Sequence, residues 1–287
     1  GLARLHGNTA EAEHYVERAL RVNPNSTGAL AELAELKRER GELDESIRLY
    51  REALALDDST PALYLGLGDS LQRGSQYAEA EAAFQRVLEL DPDSFEARYN
   101  LGVTSGQQQR FDEAARHYEA ALALAPDHPH AVSALNNLAN LHLTRGELDL
   151  AIARFEQAVK TSPRHFESRF NLGVQYLQTD RIDEGIAMLE EAAALQPNHE
   201  AANATLAMAY LRRGRNEDAY RSFLLVRRLY PRNWVAPLGL AVLHAASEDS
   251  EGARKHLGEA LELGGEAART EATRYPALSE VLAVPPG

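Results

Sequence analysis

Small residues recur in one register along this chain: Ala12, Ser46, Ala80, Ala114, Ala151, Gly185, Ala219 and Ala253. Six of the seven intervals are 34 residues and one is 37. A second row keeps the step, with Ala19, Ala53, Val87, Ala121, Ala158, Ala192, Val226 and Ala260. A third row is larger and apolar: Val16, Tyr50, Phe84, Tyr118, Phe155, Leu189, Phe223 and Leu257. A fixed period of this length marks a repeat array, in which each unit buries its apolar face only against its neighbours. Such a chain grows by stacking, so its 287 residues need no single large core.

Two amphipathic helices are legible in each period. In residues 95–128 the first is predicted from Glu96 to Gln108 and the second from Asp112 to Leu124. Ala114, Tyr118, Ala121, Leu122 and Leu124 follow the three-four spacing of a one-faced helix, and Asp112 and Glu113 suit the positive end of its dipole. Pro126 closes the unit, as do Pro24, Pro92, Pro163, Pro197 and Pro231 elsewhere, because proline ends one helix and is tolerated at the start of the next element. Gly7, Gly41, Gly146 and Gly214 separate the two helices where a left-handed turn is expected. Gly68, Gly102 and Gly173, with Ala34, Ala139, Ala207 and Ala241, mark one place on the first helix. They face the Ala12 row across a close helix contact, where a bulky side chain would cost ~1–3 kcal/mol.

A 34-residue helix-turn-helix with Leu-Gly in the first helix, Ala and Phe/Tyr in the second and a closing Pro resembles the tetratricopeptide repeat. The resemblance divides the chain into 1–26, 27–60, 61–94, 95–128, 132–165, 166–199, 200–233 and 234–265. It implies an all-α fold, a right-handed superhelical solenoid of stacked antiparallel helix pairs over residues 1–265. Residues 266–287 are then a C-terminal capping helix and tail, interrupted at Pro276. Three departures stand out: an insertion at 129–131, Asp58 in place of a closing proline, and Gly264-Gly265 at the end of the last unit.

Composition narrows the function. A net charge of −13 argues against general nucleic-acid binding, which needs a basic footprint. No apolar run is long enough to span a bilayer, and the first residues lack the pattern of a secretory signal. They begin without Met and part-way through a repeat, so the chain reads as a fragment or a processed form. With no cysteine there is no thiol nucleophile and no thiolate metal site, a composition that fits any compartment. His128, His165 and His199 share one place after the closing proline, but successive units lie ~20 Å apart, too far for shared metal coordination. They read as solvent-exposed turn residues. The string GLGDS at 66–70 falls inside a first helix with no strand before it, which excludes a phosphate loop. No catalytic set, metal or cofactor is expected.

The groove is where the resemblance places binding, because the family's first helices line a concave face that holds peptide segments. The place before the first-helix Leu reads Glu32, Gly66, Asn100, Asn137, Asn171, Thr205 and Gly239. Asn100, Asn137 and Asn171 in line resemble the asparagine ladder some members use to hold an extended chain. An amide offers the donor and the acceptor that a peptide backbone requires. Asn136, Asn137 and Asn140 are expected on one helical surface. Tyr99 and Phe170 precede two of these amides inside the near-copies FEARYNLGV and FESRFNLGV. Each reads either as a grip on a ligand side chain or as packing against the neighbouring first helix. A carboxylate clamp is not supported, since Glu96, Ser133 and Glu167 stand where basic residues are needed. Arg212, Arg213 and Arg215 begin an arginine-rich stretch that offers a possible electrostatic contact. Three classes follow: an adaptor holding a partner protein or peptide, a targeting or regulatory region of a larger enzyme such as a glycosyltransferase, or an assembly factor of a bacterial pilus or secretion system.

Overall fold

The computed structural model describes residues 9–283, and every regular element among them is helical. The chain divides into two compact units, residues 1–147 and 148–287. The first contains α1 (Thr9–Val22), α2 (Thr27–Glu39), α3 (Leu43–Leu56), α4 (Pro61–Arg73), α5 (Tyr77–Leu90), α6 (Phe95–Gln107), α7 (Phe111–Leu124) and α8 (Ala131–Thr144). The second contains α9 (Leu148–Thr161), α10 (Phe166–Gln178), α11 (Ile182–Leu195), α12 (Glu200–Arg213), α13 (Asn216–Leu229), α14 (Val235–Ala246) and α15 (Ser250–Ala272). A 3-10 turn (Pro276–Leu278) and α16 (Ser279–Ala283) follow. The boundary at Glu147 falls inside the pair read as 132–165. Within each unit a helix packs on the one before and the one after, and first helices also meet: α2 with α4, α4 with α6, α10 with α12, α12 with α14.

The three rows explain the packing. Every member is buried except Ala19 on α1. A Cβ built on Gly102 would lie 2.6 Å from the Tyr118 ring, and one on Gly68 2.4 Å from Phe84. The missing side chain on the first helix is therefore the space into which the aromatic of the second helix projects. At Gly173 and Gly185 the two backbones themselves come together, because a Cβ on Gly185 would stand 3.0 Å from the Gly173 carbonyl.

Local chemistry fixes the ends of the pairs. Ser94 Oγ accepts the Ala97 N–H at 3.2 Å and caps α6. At Asp58, where the closing proline is missing, the neighbouring Asp57 organises the turn by accepting the Ser59 and Thr60 hydroxyls at 2.7 Å each. Among the described residues seven turns carry a residue with positive φ: Gly41, Ser75, Gln109, Gly146, Asp180, Gly214 and Glu248. The expected glycine turns at 41, 146 and 214 are present, and Gly7 lies outside the described residues. The other four turns take the same left-handed step without glycine, a backbone conformation that costs an L-residue ~1–2 kcal/mol. Tertiary packing of the flanking helices holds them there.

After Gly264 the regular helix breaks at Gly265, with φ 53° and ψ −129°, inside α15. The chain then lies against its own unit: Ala268, Ala272 and Leu278 are fully buried with Leu238, Ala241 and Leu257. Among the described residues no helix is long and apolar enough to cross a membrane.

Candidate functional site on the first-helix faces

Of the three in-line asparagines, Asn100 and Asn137 belong to the first unit and Asn171 to the second. Asn100 is half-buried on α6, and its Nδ2 donates to Asp69 Oδ1 at 2.9 Å. Its carbonyl accepts the Gln72 amide at 3.2 Å, tying α4 to α6. Asn137 on α8 donates to the Tyr118 hydroxyl at 3.3 Å and to the Tyr99 hydroxyl at 3.4 Å. Burial pushes both phenols upward in pKa, so each is a neutral hydroxyl partner.

A cavity of about 310 Å³ opens beside this amide, lined by Val103, Gly106, Gln107, Tyr118, Asn137, Asn140 and Leu141. Asn140 is exposed at its edge. Asn136 does not join it. One residue of helix rotation, about 100°, turns Asn136 away from the face of Asn137. It is buried, and its Nδ2 donates back to the Val132 carbonyl at 2.8 Å. The structure thus brings together Asn137 and Asn140, with Asn100 turned toward the preceding repeat.

The aromatics preceding the amides are packed. Tyr99 stacks against both Phe95, at 6.2 Å, and His130, at 6.1 Å. Phe170 stacks on Phe166 at 5.9 Å and leans against His199. The histidines are more than exposed turn residues. His128 stacks on Phe95 at 4.0 Å, while His165 and His199 cap α10 and α12 by accepting the Ser168 and Ala202 N–H groups. Asn171 in the second unit is half-buried, and its side chain has no hydrogen-bond partner among the described residues.

The acidic side of the first unit is networked. The Tyr50 hydroxyl donates to Glu35 at 3.3 Å, and Arg38 Nε donates to Glu35 at 2.9 Å. Burial raises the Asp69 carboxyl above the usual range, and the nearby Arg38 partly offsets it. Arg212, Arg213 and Arg215 are paired rather than forming an open positive patch. Arg212 reaches Asp180 at 2.8 Å, Arg213 reaches Asp183 at 2.6 Å, and Arg215 reaches Asp218 at 2.8 Å while lying over the Tyr210 ring. Among the described residues no group of three or more His, Asp or Glu side chains is placed to hold a metal ion.

Sequence reading missed Tyr118 and Asp69 as partners of the amides, and Gln107 at the cavity wall. A signal existed for the first: the third row alternates Tyr50, Phe84, Tyr118 and Phe155, and only the tyrosines bring a hydroxyl to the next repeat.

Comparison with known proteins agrees with this architecture. Tetratricopeptide repeat profiles match residues 34–74, 61–94, 93–164, 136–200 and 176–225. The CTR9 homolog of Arabidopsis thaliana is 32% identical over 164 residues, 53% of this chain and 14% of that protein. The human protein O-mannosyl-transferase TMTC1 is 30% identical over 177 residues, 60% of this chain and 20% of that protein. The chain therefore spans a fifth or less of these relatives. In the solved C-terminal part of a TPR repeat-containing protein from Cytophaga hutchinsonii the same fold recurs with a TM-score of 0.68. That match has 13% identity and covers 85% of this chain and 98% of the other. Repeats of this kind are protein-interaction scaffolds, and this chain belongs to the tetratricopeptide repeat family.

Proposed function

We propose that the chain is a non-catalytic adaptor whose first unit holds an extended segment of a partner protein against α6 and α8. The cavity carries this reading. Gln107 and Asn140 present amides there beside Val103, Gly106 and Leu141, while the Asn137 Nδ2 is held by Tyr99 and Tyr118. The amides match a peptide's N–H and C=O groups, and the apolar wall accepts a modest side chain. Asn171, with no partner of its own among the described residues, offers the same chemistry in the second unit.

The structure sharpens the choice of variants. Asn100 and Asn137 already bond within the protein, so their removal mixes stability with binding. Gln107 and Asn140 are exposed and separate the two. Pull-down with mass spectrometry identifies the partner, and calorimetry then compares the parent with a Gln107→Ala, Asn140→Ala double variant. Each lost hydrogen bond is expected to cost ~0.5–1.5 kcal/mol, or roughly 1–3 kcal/mol together, with helicity unchanged. Equal affinity of parent and double variant would reduce these amides to family consensus.

A second reading is a repeat region belonging to a larger enzyme. The likeness to TMTC1, named as an O-mannosyl-transferase and matched over 20% of its length, supports it. Sequence beyond residues 1–287 that encodes a transferase domain would establish it. The envelope-assembly reading has an Ala- and Arg-rich composition behind it.

A further inference from the structure

The second unit holds a site of different chemistry. Two cavities adjoin where the segment after Gly265 returns to the first-helix face. One, of about 250 Å³, is lined by Ala204, Thr205, Met208, Trp234, Val235, Leu238 and Glu271. The other, of about 500 Å³, shares Thr205, Met208 and Glu271 and adds Arg212, Arg274 and Tyr275 among apolar neighbours. Together they have the volume of a drug-sized ligand site. Their halves differ: the smaller is apolar around Trp234, the larger carries two guanidinium groups.

We propose that this paired cavity receives one extended segment of a partner protein, with a bulky apolar side chain beside Trp234 and Met208 and a neighbouring carboxylate between Arg212 and Arg274. Both arginines have capacity to spare. Arg212 donates to the Leu177 carbonyl at 2.6 Å and to Asp180 at 2.8 Å, and Arg274 pairs with Glu271 at 2.9 Å. A guanidinium has five donors, so each keeps several for a further anion. The Arg212–Asp180 pair is exposed, with side chains 49% and 84% open, the kind of contact that yields easily. Burial pushes the Tyr275 phenol up to about 12, leaving a neutral hydroxyl at the same wall.

The shared wall selects a peptide over a fatty acid. Thr205 and Glu271 stand between the apolar and cationic halves, where a peptide passes a C=O and an N–H. The hydroxyl donates to the first and the carboxylate accepts from the second, whereas an alkyl chain satisfies neither. This site is independent of the amides at α6 and α8, so either proposal can fail alone.

The single tryptophan makes the test direct, because Trp234 supplies the only indole N–H resonance of the chain. The peptide Ac-Ser-Leu-Asp-Ser-NH2 is titrated into nitrogen-15-labelled protein, alongside versions with Leu replaced by Ser or Asp replaced by Asn. Decanoate is titrated separately. The expected result is a saturable shift of the Trp234 indole, weakened roughly tenfold by either peptide replacement. In an Arg212→Gln, Arg274→Gln variant the Asp and Asn peptides should bind alike, while Arg212→Lys, Arg274→Lys retains part of the preference and Arg213→Gln changes nothing. The peptide comparison in the parent protein needs no variant, so a misfolded variant leaves the test standing. No indole shift with any peptide, equal binding of the Asp and Asn peptides to the parent, or tighter arginine-dependent binding of decanoate would each overturn the proposal.

Discussion

The near-copies at 95–103 and 166–174 carry the same Asn-Leu-Gly, yet their surroundings use the next ladder residue differently. In the first unit Tyr99 and Tyr118 bring two hydroxyls to Asn137 and take up its amide. In the second, Phe170 and Leu189 occupy the matching places without a hydroxyl, and the next ladder residue, Thr205, lines the wall shared by two cavities. Whether a groove amide is offered to a partner or consumed inside the protein is thus decided by its neighbours, not by its own identity.

The largest effect should come from removing the third-row side chains themselves. Leu189→Ala is expected to cost ~2–5 kcal/mol, because Leu189 is fully buried and packs directly on Gly173. Tyr118→Ala should reach a similar cost and also strip Asn137 of an acceptor. Urea unfolding measures both, and a loss below 1 kcal/mol at either site, far under the usual range, would mean the rows do not carry the packing.

Backbone changes should be smaller and opposite in sign. Gly146 has φ +74° with nothing within 4 Å of a built Cβ, so Gly146→Ala should lose ~1–2 kcal/mol purely through the left-handed conformation. Gln109→Gly, at the matching turn, should gain ~0.5–1 kcal/mol by relieving it. A glycine at 109 that destabilises would show that the turn there is not strained.

Next is the hydroxyl difference between the copies. Tyr118→Phe and Tyr99→Phe remove acceptors at 3.3 and 3.4 Å, long bonds that put the expected loss at ~0.5 kcal/mol each. The double variant also frees Asn137, so partner affinity should hold or rise. A fall in affinity with stability unchanged would mean the hydroxyls, not the amide, touch the partner.

The smallest effect concerns pH. Burial raises the Asp69 carboxyl, so between the ordinary carboxylate range and its raised value the unfolded chain has lost a proton that the folded chain still holds. Stability contributed by this group therefore falls as pH rises through that window and stays low above it. Asp69→Asn, which keeps an acceptor for Asn100, should flatten that part of the melting-temperature profile. An unaltered profile would show that Asp69 titrates normally.

The helix pairs were legible in sequence because one period repeats three packing rows, and those rows report burial directly. The glycine-aromatic contacts followed from the same register. What sequence could not show depends on side-chain direction across repeats. Asn136 reads like its neighbours but turns into its own helix, and His165 and His199 read as exposed turns but cap helices. The left-handed turns at Ser75, Gln109, Asp180 and Glu248 carried no glycine to announce them. Likewise Arg212, Arg213 and Arg215 looked equivalent, and only the return of the C-terminal segment sets Arg212 apart at a cavity.

The nearest-neighbour packing of the helices has a kinetic consequence. Within each unit most helices meet elements a repeat or so away in the chain, the returning C-terminal segment being the exception. Loop closure between such elements costs little entropy, and low contact order goes with rapid folding. An emerging chain needs only the next pair of helices, not its distant end, to bury what it has already made. Each finished pair is then a surface on which its successor condenses as the ribosome delivers it.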